Sequence, residues 1–138
     1  MNMILRNGLK KGLNTTWDFA KIVVPVYIII TFLQHTPIIQ MIAGIFEPAL
    51  HYLGLPGKAA IVLVLGNLTN LYAALGVIPA LGFTFKEITI LSLMLSFSHS
   101  LIMETAVMKR IGASVIKLNA LRIGLAVISG LVINLLWR

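Results

Sequence analysis

The apolar positions of this 138-residue chain come in long blocks, not in alternation. Residues 3–20 place an apolar side chain at every fourth position: Leu5, Leu9, Leu13 and Trp17. Arg6, Lys10, Lys11 and Asn14 fall off that stripe. This predicts an N-terminal amphipathic helix over residues 1–20, lying either in the headgroup layer or against its own protein. Gly8 and Gly12 lower its helix propensity. "KIVVPVYIIITFL", Lys21 to Leu33, then opens a first membrane segment, with Pro25 as a tolerable kink.

The later blocks are less uniform. Residues 38–53 are apolar but short, and Glu47, Pro48 and His51 interrupt them. They predict a tilted or re-entrant segment, or a helix in the interface. "GLPG", Gly54 to Gly57, breaks the chain. Lys58 to Leu81 is long enough to span, with Gly66, Asn67, Thr69 and Asn70 at its centre. Ile88 to Val107 is a further span, and Ile123 to Trp137 a last short one. Between them, Met108 to Arg122 is basic and half-polar, as near an interface. No stretch alternates long enough for a barrel strand. The fold class is therefore all-α: a polytopic helical membrane protein with about four to five membrane segments, some short or broken.

Composition agrees. Apolar residues make up 59% of the chain and charged ones 11%, against about 25% charged in soluble domains. Cysteine is absent, so disulfides and thiolate metal sites are excluded. The net charge is +7, but the basic residues stand singly or in pairs between apolar blocks. Anionic headgroups explain them better than nucleic acid does. Trp137 and Arg138 form an interfacial anchor pair.

Polar residues within apolar blocks carry the candidate chemistry. On a continuous helix over Ile88–Val107, Ser92, Ser96, Ser100 and Glu104 share one face, with His99 beside it. The serines alone are compatible with close helix packing. An ionisable group at bilayer depth costs about 2.5–3.5 kcal/mol on insertion scales, so His99 and Glu104 need a cavity or a partner. One open alternative pairs Glu104 with Lys109 or Arg110 near the helix end. Asn67 and Asn70 share a face around Gly66 and Thr69, either beside a broken, substrate-holding helix or as an interhelical hydrogen bond. Arg122, Ala126, Gly130 and Asn134 read as a packing stripe, with Arg122 snorkelling to the interface. One histidine at depth, without cysteine or paired acids, makes no nucleophile–base set, so no enzyme is expected. No cofactor or metal is expected either.

"GLPG", "GNLTNLYAALGVI", "SHSLIMET" and "KRIGASVIKLNALR" together resemble the nucleoside-recognition, or Gate, domain family, over roughly residues 17–137. That family occurs in concentrative nucleoside transporters, in the membrane part of the ferrous-iron transporter and in spore maturation proteins. The resemblance implies that residues 1–138 are a single Gate-type domain of a bacterial or archaeal cytoplasmic membrane. It implies a pore or solute-handling element lined by Ser98, His99, Ser100 and Glu104, with the Gly66–Asn70 stretch facing it. In the transporters the domain occurs as an inverted pair; this sequence holds one copy.

If Lys58–Leu81 crosses, four spans put six basic residues on one side and five on the other. So small a bias allows insertion both ways and an antiparallel homodimer that rebuilds the inverted repeat. The expected function is a transporter or channel-like module for a small polar solute, nucleosides included. Asn67, Asn70, Ser96, Ser98, His99, Ser100 and Glu104 are its substrate-binding residues. Its partners are the lipid bilayer, the solute, and a second copy or another Gate-type half-domain, with no nucleic acid. The alternative is a non-transporting membrane scaffold.

Overall fold

Nothing between Trp17 and Lys21 interrupts the helical hydrogen-bond ladder, and the expected interfacial helix and first span form one rod. In the computed structural model, which describes residues 2–137, α1 runs unbroken from Asn2 to Leu33. At 1.5 Å per residue it is roughly 48 Å long, more than a ~30 Å hydrocarbon layer needs. It ends where the Thr36 hydroxyl donates to the Leu33 carbonyl at 2.6 Å. Pro37, at the first position of the next helix, lacks the N–H that would go unpaired there. The described residues form seven helices and no strand: α2 (Pro37–His51), α3 (Ala59–Leu68), α4 (Leu71–Leu81), α5 (Phe85–Ser98), α6 (Leu101–Arg110) and α7 (Val115–Leu136) follow α1. Arg138 lies outside the described residues.

The largest departure from the sequence pattern is the Lys58–Leu81 block. It does not cross. It breaks at Thr69–Asn70, and α3 and α4 fold back on each other as a hairpin. The Lys58 ammonium, just before α3, donates to the carbonyls of Leu81 (2.7 Å), the last residue of α4, and Gly82 (3.1 Å), its C-cap. Each arm is about 15 Å long, half a bilayer core. Hydropathy alone could not separate a 24-residue span from two half-length helices of equal greasiness. The hairpin is held by close packing. Gly76 of α4 lies against the Val23 backbone and the Val26 side chain of α1, where any Cβ would collide. Phe19 and Tyr72 stack at 4.2 Å at the hairpin tip. In lipid, where apolar side chains gain little by leaving the solvent, such contact by small residues is the main source of helix association.

Helices α5, α6 and α7 form the second half of the bundle. Thr84 and Glu87 build a reciprocal capping box that starts α5. α5 and α6 together make a 26-residue span, Phe85–Arg110, and α7 returns antiparallel beside it. Phe85 meets Trp137 edge-on, Met94 packs at Gly130, and Asn119 donates to the Thr105 hydroxyl at 2.7 Å. Ala126 and Gly130 are buried, in the packing role expected of that stripe. The core joins the two halves through Val62, Val77, Ile90, Leu91 and Leu95, all essentially buried.

α2 is shorter than a span, and its C-terminal end meets the foot of the bundle. The Glu47 carboxylate accepts from the Gly57 amide at 2.5 Å, and the Tyr52 carbonyl accepts from Asn134 at 3.1 Å. Among the described residues, three helical stretches are long and apolar enough to cross a membrane: Met3–Leu33, Phe85–Arg110 and Val115–Leu136. The tally of basic residues changes accordingly. Of the eleven basic residues, Arg6, Lys10, Lys11, Lys109, Arg110 and Lys117 belong to the head of the bundle and Lys58 and Lys86 to the foot; Lys21 and Arg122 lie within the spans, and Arg138 lies outside the described residues. The near-balance that four crossings implied becomes a clear excess at the head.

Candidate functional site

Two helix breaks touch near the middle of the bundle. The α3–α4 break is made by polar residues that turn their hydrogen bonds inward. Asn70 adopts extended backbone and its side chain accepts from the Ala73 amide at 2.9 Å, capping α4. The Thr69 hydroxyl donates back to the Leu65 carbonyl. The second break falls inside the stretch whose spacing predicted a continuous polar face. His99 is extended and Ser100 left-handed, with φ 53 and ψ 37. The ladder stops at Ser98 and restarts at Leu101. Ser100 then donates its amide to the Gly66 carbonyl at 2.9 Å, bridging the two breaks.

The break rearranges the expected serine stripe. Ser92 and Ser96 stay on the exposed outer surface of α5, and the Ser96 hydroxyl bonds back to the Ser92 carbonyl at 2.8 Å. Ser98 is buried, and its hydroxyl donates to the Met94 carbonyl at 2.9 Å. Glu104 and His99 come together instead: His99 Nε2 lies 3.5 Å from Glu104 Oε1. Nδ1 of the same ring sits 2.9 Å from the Leu95 carbonyl, which can only accept. With Nδ1 so committed, Nε2 is the ring nitrogen that faces the Glu104 carboxylate.

Arg122 completes the cluster and overturns its expected role. It does not snorkel to the interface; its side chain is only 14% exposed. Nε donates to the Phe97 carbonyl (2.8 Å), Nη2 donates to the His99 carbonyl (2.9 Å), and Nη1 pairs with Glu104 Oε2 at 2.5 Å. The break frees those carbonyls from their helical donors, and Arg122 supplies replacements. Glu104 therefore pairs with Arg122 and His99, not with Lys109 or Arg110. An arginine eight positions into a 22-residue apolar helix was the signal available in the sequence.

Beside the breaks lies a cleft of about 280 Å³, lined by Asn67 and Ser98 among apolar residues of α3, α5, α6 and α7. That is close to the lower end of ligand-pocket volumes, roughly 300–1,000 Å³. Asn67 donates through Nδ2 to the Leu63 carbonyl at 2.8 Å, while its buried Oδ1 has no partner among the described residues. Of the seven residues expected to bind solute, the structure brings Asn67 and Ser98 to one cleft, His99, Ser100 and Glu104 to the adjoining break, and Asn70 to a capping role; Ser96 faces outward.

Three long apolar helices, two of them beside an ion-paired break, define an integral membrane protein. The chain belongs to the nucleoside recognition (Gate) family, which matches residues 16–115. Arg122 lies beyond the matched residues. The chain is also 44% identical over its whole length to the uncharacterized membrane protein YvoD of Bacillus subtilis (strain 168), of which it covers 44%. It thus spans less than half the length of that relative. No solved structure matches the chain.

Proposed function

We propose that the chain is one half of a transporter or channel-like module for a small polar solute, with nucleosides the leading class. One observation carries the reading: the two helix breaks meet through Ser100 and Gly66 beside a cleft lined by Asn67 and Ser98. Discontinuous helices are the usual means by which membrane proteins offer backbone groups to a solute at mid-depth. The family's description as nucleoside recognition supports the solute class.

The other half of the module is a second Gate-type unit in inverted orientation. Three crossings put the two ends of the bundle's chain on opposite faces, so a copy joined after α7 begins on the far side and inserts upside down. The relative's length leaves room for such a unit. An antiparallel homodimer meets the same need. The excess of basic residues at the head favours one orientation for each chain, and so favours a distinct partner unit over dual insertion.

The test is uptake of labelled nucleosides by liposomes carrying the purified chain, with any partner that copurifies. Uptake that disappears in His99→Ala and Glu104→Gln while the oligomer survives supports transport. Variants that dissociate the oligomer, with no solute moved by the native chain, establish the scaffold reading instead.

A further inference from the structure

We infer that the α5–α6 break is a monovalent-cation site whose permanent occupant is the chain's own Arg122. The break leaves the Phe97 and His99 carbonyls without helical donors at the C-terminal end of α5. That end carries the negative pole of the half-helix. Glu104 of α6 adds a full negative charge to the same point. Two carbonyls and a carboxylate on an unwound helix, at bilayer depth, form the oxygen set by which broken-helix transporters hold a coupling ion. Here two of those oxygens accept hydrogen bonds from one guanidinium, at 2.8 and 2.9 Å, and the carboxylate lies in an ion pair with its Nη1 at 2.5 Å, without hydrogen-bond geometry. A planar, always-charged fork matches such an arrangement in a way a lysine does not.

The foot of the bundle shows the same device on a smaller scale. There the Lys58 ammonium fills the Leu81 and Gly82 carbonyls at the end of α4. In both half-helices a tethered cation stands where a free one would otherwise bind.

Two consequences follow. The native chain gains nothing from sodium or potassium at this position, so recognition of its solute runs without a coupling alkali cation there. Shortening Arg122 leaves three converging oxygens with one net negative charge, and the site then takes a free cation. The inference rests on the solute-handling reading only for its bearing on coupling. Its test involves no solute, so a chain that passes it and yet moves no nucleoside defeats the transport reading alone.

The experiment compares thermal unfolding of the full-length native chain, Arg122→Ala and Arg122→Ala/Glu104→Gln in detergent. The salts are choline, sodium, potassium and low-millimolar guanidinium chloride at equal ionic strength. The native midpoint is expected to stay within about 1 °C across all four, while Arg122→Ala starts lower in choline and rises by roughly 4 °C or more with guanidinium, sodium or potassium at a tenfold excess over its Kd. The double variant is expected to lose that response. A folded Arg122→Ala indifferent to every cation overturns the inference, as does an equal response in the double variant. Should Arg122→Ala fail to fold even with guanidinium, sodium or potassium while the double variant folds, the site takes no free cation and the inference is overturned. Failure of both variants assigns Arg122 a purely bracing role and also overturns it.

Discussion

Ser100 donates its backbone N–H to the carbonyl of Gly66, 2.9 Å away, and so ties the break between α5 and α6 to the last turn of α3. The contact needs Gly66 to be bare. A Cβ built there would lie 2.6 Å from the Leu95 Cδ2 and 3.1 Å from the Ala74 Cβ. Gly66→Ala is expected to destabilise the fold by about 1–3 kcal/mol through overpacking, and Gly66→Val by more. Denaturant or thermal unfolding in detergent measures both. A neutral Gly66→Ala would show that the breaks do not pack as described.

The two asparagines of the hairpin are expected to separate stability from recognition. Asn70→Ala removes the cap of α4 and is expected to cost about 1 kcal/mol, with Asn70→Asp or Asn70→Ser retaining most of it. Asn67→Ala removes an acceptor that no described residue uses and is expected to change the unfolding midpoint little while weakening solute binding. Calorimetric binding and thermal unfolding of the two variants make the comparison. The reverse pattern would remove Asn67 from the site.

Glu104→Gln takes the charge partner from an arginine that is mostly enclosed. Breaking a fully buried pair costs about 3–5 kcal/mol; with the carboxylate about one-third exposed, a loss of about 1–3 kcal/mol is expected here. Glu104→Asp should recover part of it. Unfolding of both variants measures the difference, and an unchanged midpoint for Glu104→Gln would mean that the pair does not brace the break.

The hairpin makes a prediction about sidedness. Single cysteines at Pro56 and Lys86 flank the α3–α4 block and are expected to react with a membrane-impermeant maleimide from the same face. A cysteine at Lys109 is expected to react from the other face, which the basic excess assigns to the cytoplasm. Labelling of Pro56→Cys and Lys86→Cys from opposite faces would mean that Lys58–Leu81 crosses after all. Labelling of each site from both faces would establish dual insertion.

Much was legible along the chain without its fold. Block hydropathy alone determined that this is an all-helical membrane protein, because lipid demands long apolar runs whatever their packing. The quoted motifs determined the family, and the rarity of ionisable groups at depth marked His99 and Glu104 as a pair needing a partner. What only the tertiary structure decided depends on contacts distant in sequence. A greasy 24-residue block becomes a hairpin because Gly76 lets α1 approach and Lys58 can cap α4 from the neighbouring arm. The serine stripe dissolves because four-residue spacing defines a face only while the ladder is continuous, and at Ser100 a bond to Gly66 replaces it. Arg122 turns inward because the carbonyls it satisfies become free only once that break exists.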